Sequence, residues 1–201
     1  MGNMINVEDK NWKDFYLMDF FHCEKGNQNN MSSLSEGEIP LVSARKCDNG
    51  YKDFVAPNHK NLFEGGILTL NNDGDGGAGI AYYQPYKMAL DSHVTALTPK
   101  LELNRYQLLF IAMCITKQRN RFGHGYSLKN NRLRSFKLML PTTQNGLPDW
   151  LFMEELMKRI ESDILNKILV SLEDRIKKKN LFTNKLAGVK WSEFYIRDLF
   201  P

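Results

Sequence analysis

Trp12-Lys13-Asp14-Phe15-Tyr16-Leu17-Met18-Asp19-Phe20-Phe21 is echoed 179 residues later by Trp191-Ser192-Glu193-Phe194-Tyr195-Ile196-Arg197-Asp198-Leu199-Phe200. The tryptophan, the first phenylalanine, the tyrosine, Asp19/Asp198 and the last phenylalanine are identical in place. Asp14/Glu193, Leu17/Ile196 and Phe20/Leu199 are conservative exchanges. A repeat at this distance predicts a two-unit architecture, of which the chain carries one full unit and the opening of a second. Residues 1–148 form the body of the unit, 149–180 a long helix, and 181–201 a connector with the first strand of a second, incomplete repeat.

The composition narrows the class. The 201 residues suit one domain of ordinary size with an appended element, and 42% apolar residues are enough for a core. Cys23, Cys47 and Cys114 are odd in number and scattered, as expected of a reducing cytoplasm rather than a disulfide framework. No Cys-x-x-Cys or His-x-x-x-His spacing suggests a structural metal. Met1–Lys10 has no apolar core, so no signal peptide is expected, and the apolar run Tyr106–Ile115 is too short to span a bilayer.

Charge is unevenly placed. The chain is net +4, yet from Leu103 to Pro148 there is no acidic residue, and this window holds Arg105, Lys117, Arg119, Arg121, Lys129, Arg132, Arg134 and Lys137. The remainder is therefore net negative. One-sided positive charge on an otherwise balanced chain points to an anionic partner. Within the window, Lys117-Gln118-Arg119-Asn120-Arg121-Phe122-Gly123-His124-Gly125-Tyr126 and Lys129-Asn130-Asn131-Arg132 mix cations, amides and aromatics. Lysine and arginine neutralise phosphates, while arginine and amides pair bidentately with base edges. A second cluster holds Arg45, Lys46 and Asn49.

Local patterning predicts a strand over 12–21, a short buried strand over 39–43, a tight turn at Asn49-Gly50 and a strand over 51–55. Further strands are expected at 67–70, 80–84, 93–97 and 133–140, with a packed helix over 106–116. The body is thus a strand-rich α+β domain. Asp149 is placed to cap a helix that runs without Gly or Pro from Trp150 to about Lys179. Its apolar stripe, Met153, Met157, Ile160, Ile164, Ile168, Leu172 and Ile176, predicts an amphipathic helix that pairs with another helix. The stripe steps about 3.8 residues at a time, longer than a heptad seam.

Catalytic patterns are missing where they would be needed. The glycine-rich stretch Asn71–Gly79 lacks the Gly-Lys-Ser/Thr of a phosphate-binding loop and leads into a strand, not a helix. It reads as a turn, or as a place where backbone approaches a large ligand closely. Asp73 and Asp75 have no glutamate at calcium-loop spacing. The histidines stand without partners, and neither a methyltransferase run nor a nuclease carboxylate set is recognisable. The chain is therefore expected not to be an enzyme.

These residues resemble the specificity (S) subunits of type I restriction–modification systems and their type II S-like relatives. The resemblance lies in Trp12-x-x-Phe15-x-Leu17-x-Asp19-x-Phe21 followed by Gly26, and in Gly37–Ser43 followed by Asn49-Gly50. It continues through the glycine-rich stretch into Tyr82-Tyr83, Phe122-Gly123-x-Gly125, Leu140-Pro141 and the Asp149-Trp150 helix start. Members of that family repeat a target recognition domain and a long helix; here the second unit is only begun.

The resemblance implies a cytoplasmic, sequence-specific DNA-recognition subunit that reads one half of a bipartite site. It further implies docking to methyltransferase (modification) and restriction subunits, with S-adenosylmethionine held by a partner and no cofactor on this chain. A homodimer through the long helix would supply the missing half and read an inverted repeat. The residues expected at double-stranded DNA are Arg45, Lys46, Gln118, Arg119, Arg121, Tyr126, Lys129, Asn130 and Arg132. The alternative is a non-catalytic assembly scaffold whose basic face only confers solubility.

Overall fold

The computed structural model describes residues 7–56, 58–73, 77–122, 127–128, 131–187 and 189–190, with side chains throughout except in 181–186. The second repeat copy, Trp191–Phe200, lies outside the described residues. The chain divides into two compact units, Met1–Lys158 and Arg159–Pro201.

The motif at 12–21 is not one strand. β1 (Asn11–Tyr16) gives way to a single helical turn, α1 (Leu17–Phe20), and then to β2 (Phe21–Lys25). The break has a packing cause. Leu17, Phe20 and Phe21 are all buried, and an uninterrupted strand would send Phe20 and Phe21 to opposite faces. β1 pairs antiparallel with β9 (Lys137–Thr142), from Asn11 opposite Thr142 to Tyr16 opposite Lys137. The expected strand at 133–140 is also divided: α3 (Asn131–Arg134) precedes β9, which passes through Pro141.

Two further sheets follow. The first has the order β2-β8-β5-β6, with β5 at Ile67–Asn71, β6 at Ala81–Gln84 and β8 at Val94–Pro99, all antiparallel. β5 is buried at every position, its polar Thr69 and Asn71 included, and these two side chains hydrogen-bond to Gln84 and to the Arg45 carbonyl. The second has the order β4-β3-β7, with β3 at Glu36–Val42, β4 at Tyr51–Val55 and β7 at Ala89–Leu90, β3 and β7 being parallel.

α2 (Arg105–Lys117) packs on β6, β5 and β9. A capping box starts it: Asn104 Oδ1 accepts from the amides of Tyr106 and Gln107, and Gln107 Oε1 accepts from the Asn104 amide at 3.0 Å. The main core lies between α2 and the sheet, with Leu68, Leu70, Leu97, Leu108, Phe110, Ile111 and Ile115 at its centre.

α4 (Trp150–Leu186) opens as expected, with Asp149 Oδ1 accepting from the Phe152 amide at 3.1 Å. It continues six residues into the stretch expected as a connector. Met153 is fully buried in the main core and Met157 packs against it. These two residues, expected on the helix-pairing stripe, belong instead to the domain's own interior. Ile164, Ile168, Leu172 and Ile176 are 45–58% exposed.

The Asp149 carboxyl also accepts from Lys10 Nζ at 2.8 Å, across 139 residues. Burial works to raise its pKa, but the hydrogen bonds from Lys10 and from the Phe152 amide outweigh it and hold the carboxyl below its ordinary value of 3.8. A depressed carboxylate stabilises the fold at neutral pH and loses that contribution as pH falls through the folded value. Asp149→Ala should cost about 1 kcal/mol at pH 7, a loss of a few degrees in Tm for a chain of this size. Denaturant titrations of both proteins from pH 7 to pH 3 should show the gap narrowing below pH 4. A gap that is constant with pH would mean that the ionised carboxylate contributes nothing.

Candidate nucleic-acid interface

The loop after β3 is built from polar side chains that grip its backbone. The Ser43 amide donates to Gly50 O at 2.9 Å, and the Gly50 amide donates to Cys47 O at 3.0 Å. Asp48 (φ 53°), Asn49 (φ 52°) and Gly50 (φ 79°) are three successive left-handed residues, a conformation that Asp, Asn and Gly tolerate best. Asn49 Nδ2 donates to Tyr83 O at 3.0 Å, and the buried Gln84 amide donates to Asn49 O at 2.9 Å. The carbonyl of Arg45 accepts twice, from Asn71 Nδ2 at 2.8 Å and from Tyr82 Oη at 3.2 Å.

The glycine-rich stretch closes against this loop and against the turn Arg119–Arg121 that follows α2. A Cβ on Gly77 would stand 2.9 Å from Ala44 O. A Cβ on Gly79, where φ is +76°, would stand 2.7 Å from the Phe122 ring and 3.1 Å from Arg119 Cα. These two glycines are therefore required by protein packing, without reference to a ligand. Gly74–Gly76 lie outside the described residues.

Tyr82 sits where the two basic segments meet. Burial and the neighbouring Cys47 push its hydroxyl pKa up, Arg119 works in the opposite direction, and Asp48 adds to the rise. The loop that carries Arg45 and the turn that carries Arg119 thus both border the Gly79–Tyr82 segment, from positions about 75 residues apart in sequence. Lys46, Arg119 and Arg121 are exposed and Arg45 is half-buried.

Gln118, expected to contact DNA, is occupied as a brace. It donates to Lys137 O at 3.0 Å and accepts from Arg121 Nη1 at 2.8 Å. Arg132 lies on α3 and donates to Ser127 O at 3.2 Å. Tyr126, Lys129 and Asn130 lie outside the described residues. The sequence reading missed Asn71, Tyr82 and Asp48, whose roles depend on partners 26 to 37 residues away or on a charge displayed beside Arg45.

A cavity of about 470 Å³ opens beside Asn72 and Asp73, lined by Lys25, His93, Thr95 and Arg134 among others. Among the described residues no group of three or more His, Cys, Asp or Glu could hold a metal ion, and no helix is long and apolar enough to cross a membrane.

Residues 9–170 match the type I restriction modification DNA specificity domain family. The chain belongs to that family. It is 27% identical over 168 residues to the type II restriction enzyme specificity subunit S.BcgI of Heyndrickxia coagulans, covering 83% of this chain and 48% of that protein. The fold is similar to that of the type I S subunit from M. genitalium, at a TM-score of 0.56 and 13% identity over 94% of this chain and 48% of the other. It is also similar to the HsdS subunit of Thermoanaerobacter tengcongensis, at a TM-score of 0.53 and 15% identity over 77% and 38%. The chain spans about half the length of the specificity subunits it matches. The α+β architecture with its long terminal helix is shared with these structures.

The three thiols differ in environment. Burial pushes Cys23 up to about 11, against the opposing charge of Lys100, and Cys114 up to about 12, against Lys117. Cys47 is exposed on the Arg45 loop. At pH 8 the native protein should therefore show one thiol, Cys47, reacting rapidly with a chromogenic disulfide, and three after denaturation. Two fast thiols in the native state would contradict the burial of Cys23 or Cys114.

Proposed function

We propose that this chain is the DNA-recognition part of a specificity subunit, reading one half of a bipartite duplex site. The observation that carries the reading is the convergence of the Arg45–Lys46 loop and the Arg119–Arg121 turn around Tyr82. Exposed cations such as Lys46, Arg119 and Arg121, drawn from distant segments, neutralise phosphates and position a protein on a duplex. The chain itself performs no catalysis in this reading. Methyl transfer, with S-adenosylmethionine, belongs to modification subunits that dock on the assembled specificity subunit, alongside restriction subunits, in the cytoplasm.

The test is salt dependence. Replacing Arg119 and Arg121 together by alanine should weaken duplex binding at low salt. It should also reduce the slope of log affinity against log salt by about 1.8, at 0.9 per lost phosphate contact. Binding of the wild-type chain that does not change with salt would favour the assembly-scaffold alternative.

The exposed part of the α4 stripe supports pairing with a second helix, from another copy of this chain or from a second unit. Light scattering over a tenfold concentration range should give a mass near twice 23.3 kDa. Ile168→Asp with Leu172→Asp should return it to one, at unchanged domain stability. A wild-type monomer at all concentrations would remove self-pairing and leave the stripe to a different chain.

A further inference from the structure

We infer that Arg45, braced by Asp48, reads a guanine of a G·C pair from the major groove rather than contacting phosphate. This rests on the DNA-reading function proposed above and assigns one of its specificity determinants.

The pair is displayed and rigidly mounted. Arg45 Nη2 lies 2.9 Å from Asp48 Oδ2, with the two side chains 39% and 65% exposed. The thiol of Cys47 donates to the same carboxylate oxygen at 3.2 Å and lies 3.7 Å from Arg45 Nη2. An ion pair this exposed contributes little to stability. The loop that presents it nevertheless holds two non-glycine residues, Asp48 and Asn49, in the left-handed region. Fully buried Asn71 and half-buried Tyr82 clamp the Arg45 carbonyl. Such mounting fixes the origin of the side chain, which base reading requires and simple charge neutralisation does not.

The carboxylate decides between the two DNA targets. A phosphate approaching Arg45 would meet Asp48 within one hydrogen-bond length of the guanidinium, and like charges repel. A guanine edge is neutral and offers O6 and N7 to the guanidinium fork. Its paired cytosine offers the N4 amino group as a donor, which a carboxylate accepts. Arg121 is held differently, by the neutral Gln118 amide, so its full charge remains available to phosphate.

The experiment is selection of binding sites from randomised duplex DNA by the full chain, as wild type, R45K and D48N. Lysine keeps the charge and loses the fork. Asparagine suits the left-handed backbone at position 48 and keeps the loop; circular dichroism and melting check both folds. The wild type should enrich a motif containing one invariant G·C pair. R45K should retain the rest of the motif and lose preference at that pair by about tenfold or more, with an unchanged salt slope. D48N should loosen the same pair while binding all sequences more tightly. Uniform changes in affinity with the motif intact in both variants would overturn the inference and make Arg45 a phosphate contact. A wild-type chain that enriches no sequence would instead overturn the DNA-reading function itself.

Discussion

The antiparallel ribbon of β1 and β9 closes the domain, and the rest of the unit depends on that closure. It joins residues 11–16 to residues 137–142, so nearly every other element of the body is an excursion between its two strands. Just beyond the ribbon, Lys10 reaches Asp149 and its ammonium lies 4.6 Å from the centre of the Phe152 ring. Aromatic contacts continue inward: Trp12 stacks on Phe110 at 6.4 Å, Phe15 meets Phe20 at 5.7 Å, and Phe20 meets Trp150 edge-on at 5.3 Å. The start of the long helix is thus held by residues that flank the first strand, Lys10 before it and Phe20 after it. This accounts for most of the apolar positions of the internal repeat. Trp12, Phe15, Leu17, Phe20 and Phe21, all kept as apolar in both copies, pack into the core in the first, whereas the equally kept Tyr16 is 47% exposed. Lys13, which is not kept, is exposed.

The same scaffold brings the basic loops together. The β5–β6 hairpin is held between β8 and α2, with Thr116 Oγ1 accepting from the Ala81 amide at 3.0 Å. Asn71 at one end of the hairpin and Tyr82 in its second strand face the Arg45 loop. The glycines between them let the chain pass under both Ala44 and Phe122 with no side chain in the way. Bringing like charges together is electrostatically unfavourable without a counter-anion. Here Asp48 pairs with Arg45, and the rest of the arrangement is maintained by hydrogen bonds to buried amides and by close packing. An arrangement held against its own field is one that an anionic ligand relieves.

Much of the fold was legible in the residues because one signal dominated locally. Asn49-Gly50 marks a turn since few other residues accept two left-handed positions in a row, and the capping carboxylate of Asp149 follows from its place before an apolar-periodic run. The failures have a common cause. A single helical turn at Leu17–Phe20 is shorter than the period that would reveal it. Gln118 reads as a polar surface amide until its carbonyl partner on Lys137, 19 residues away, is known. Met153 and Met157 fit the helix stripe in spacing, yet spacing cannot say whether the covering surface is the helix's own domain or another helix. Of the candidate site, the cations were visible as composition. The clamp that orients them was not, because hydrogen bonds to Arg45 O involve no charge and no local motif.

The division of α4 has a consequence for how a partner helix would meet it. Trp150, Phe152 and Met153 belong to the domain core, so the rotation of the helix about its axis is set in its first turn. The stripe from Met153 to Ile176 advances by about 3.8 residues per step, more than the 3.6 residues of a helical turn. Successive apolar positions therefore drift around the helix in the sense opposite to a heptad repeat. A partner that follows the drift winds with a right-handed sense, and one that stays straight crosses the stripe and leaves it. Leu165 and Leu169 widen the apolar surface on one side, which keeps a straight partner in contact for longer than the narrow stripe would.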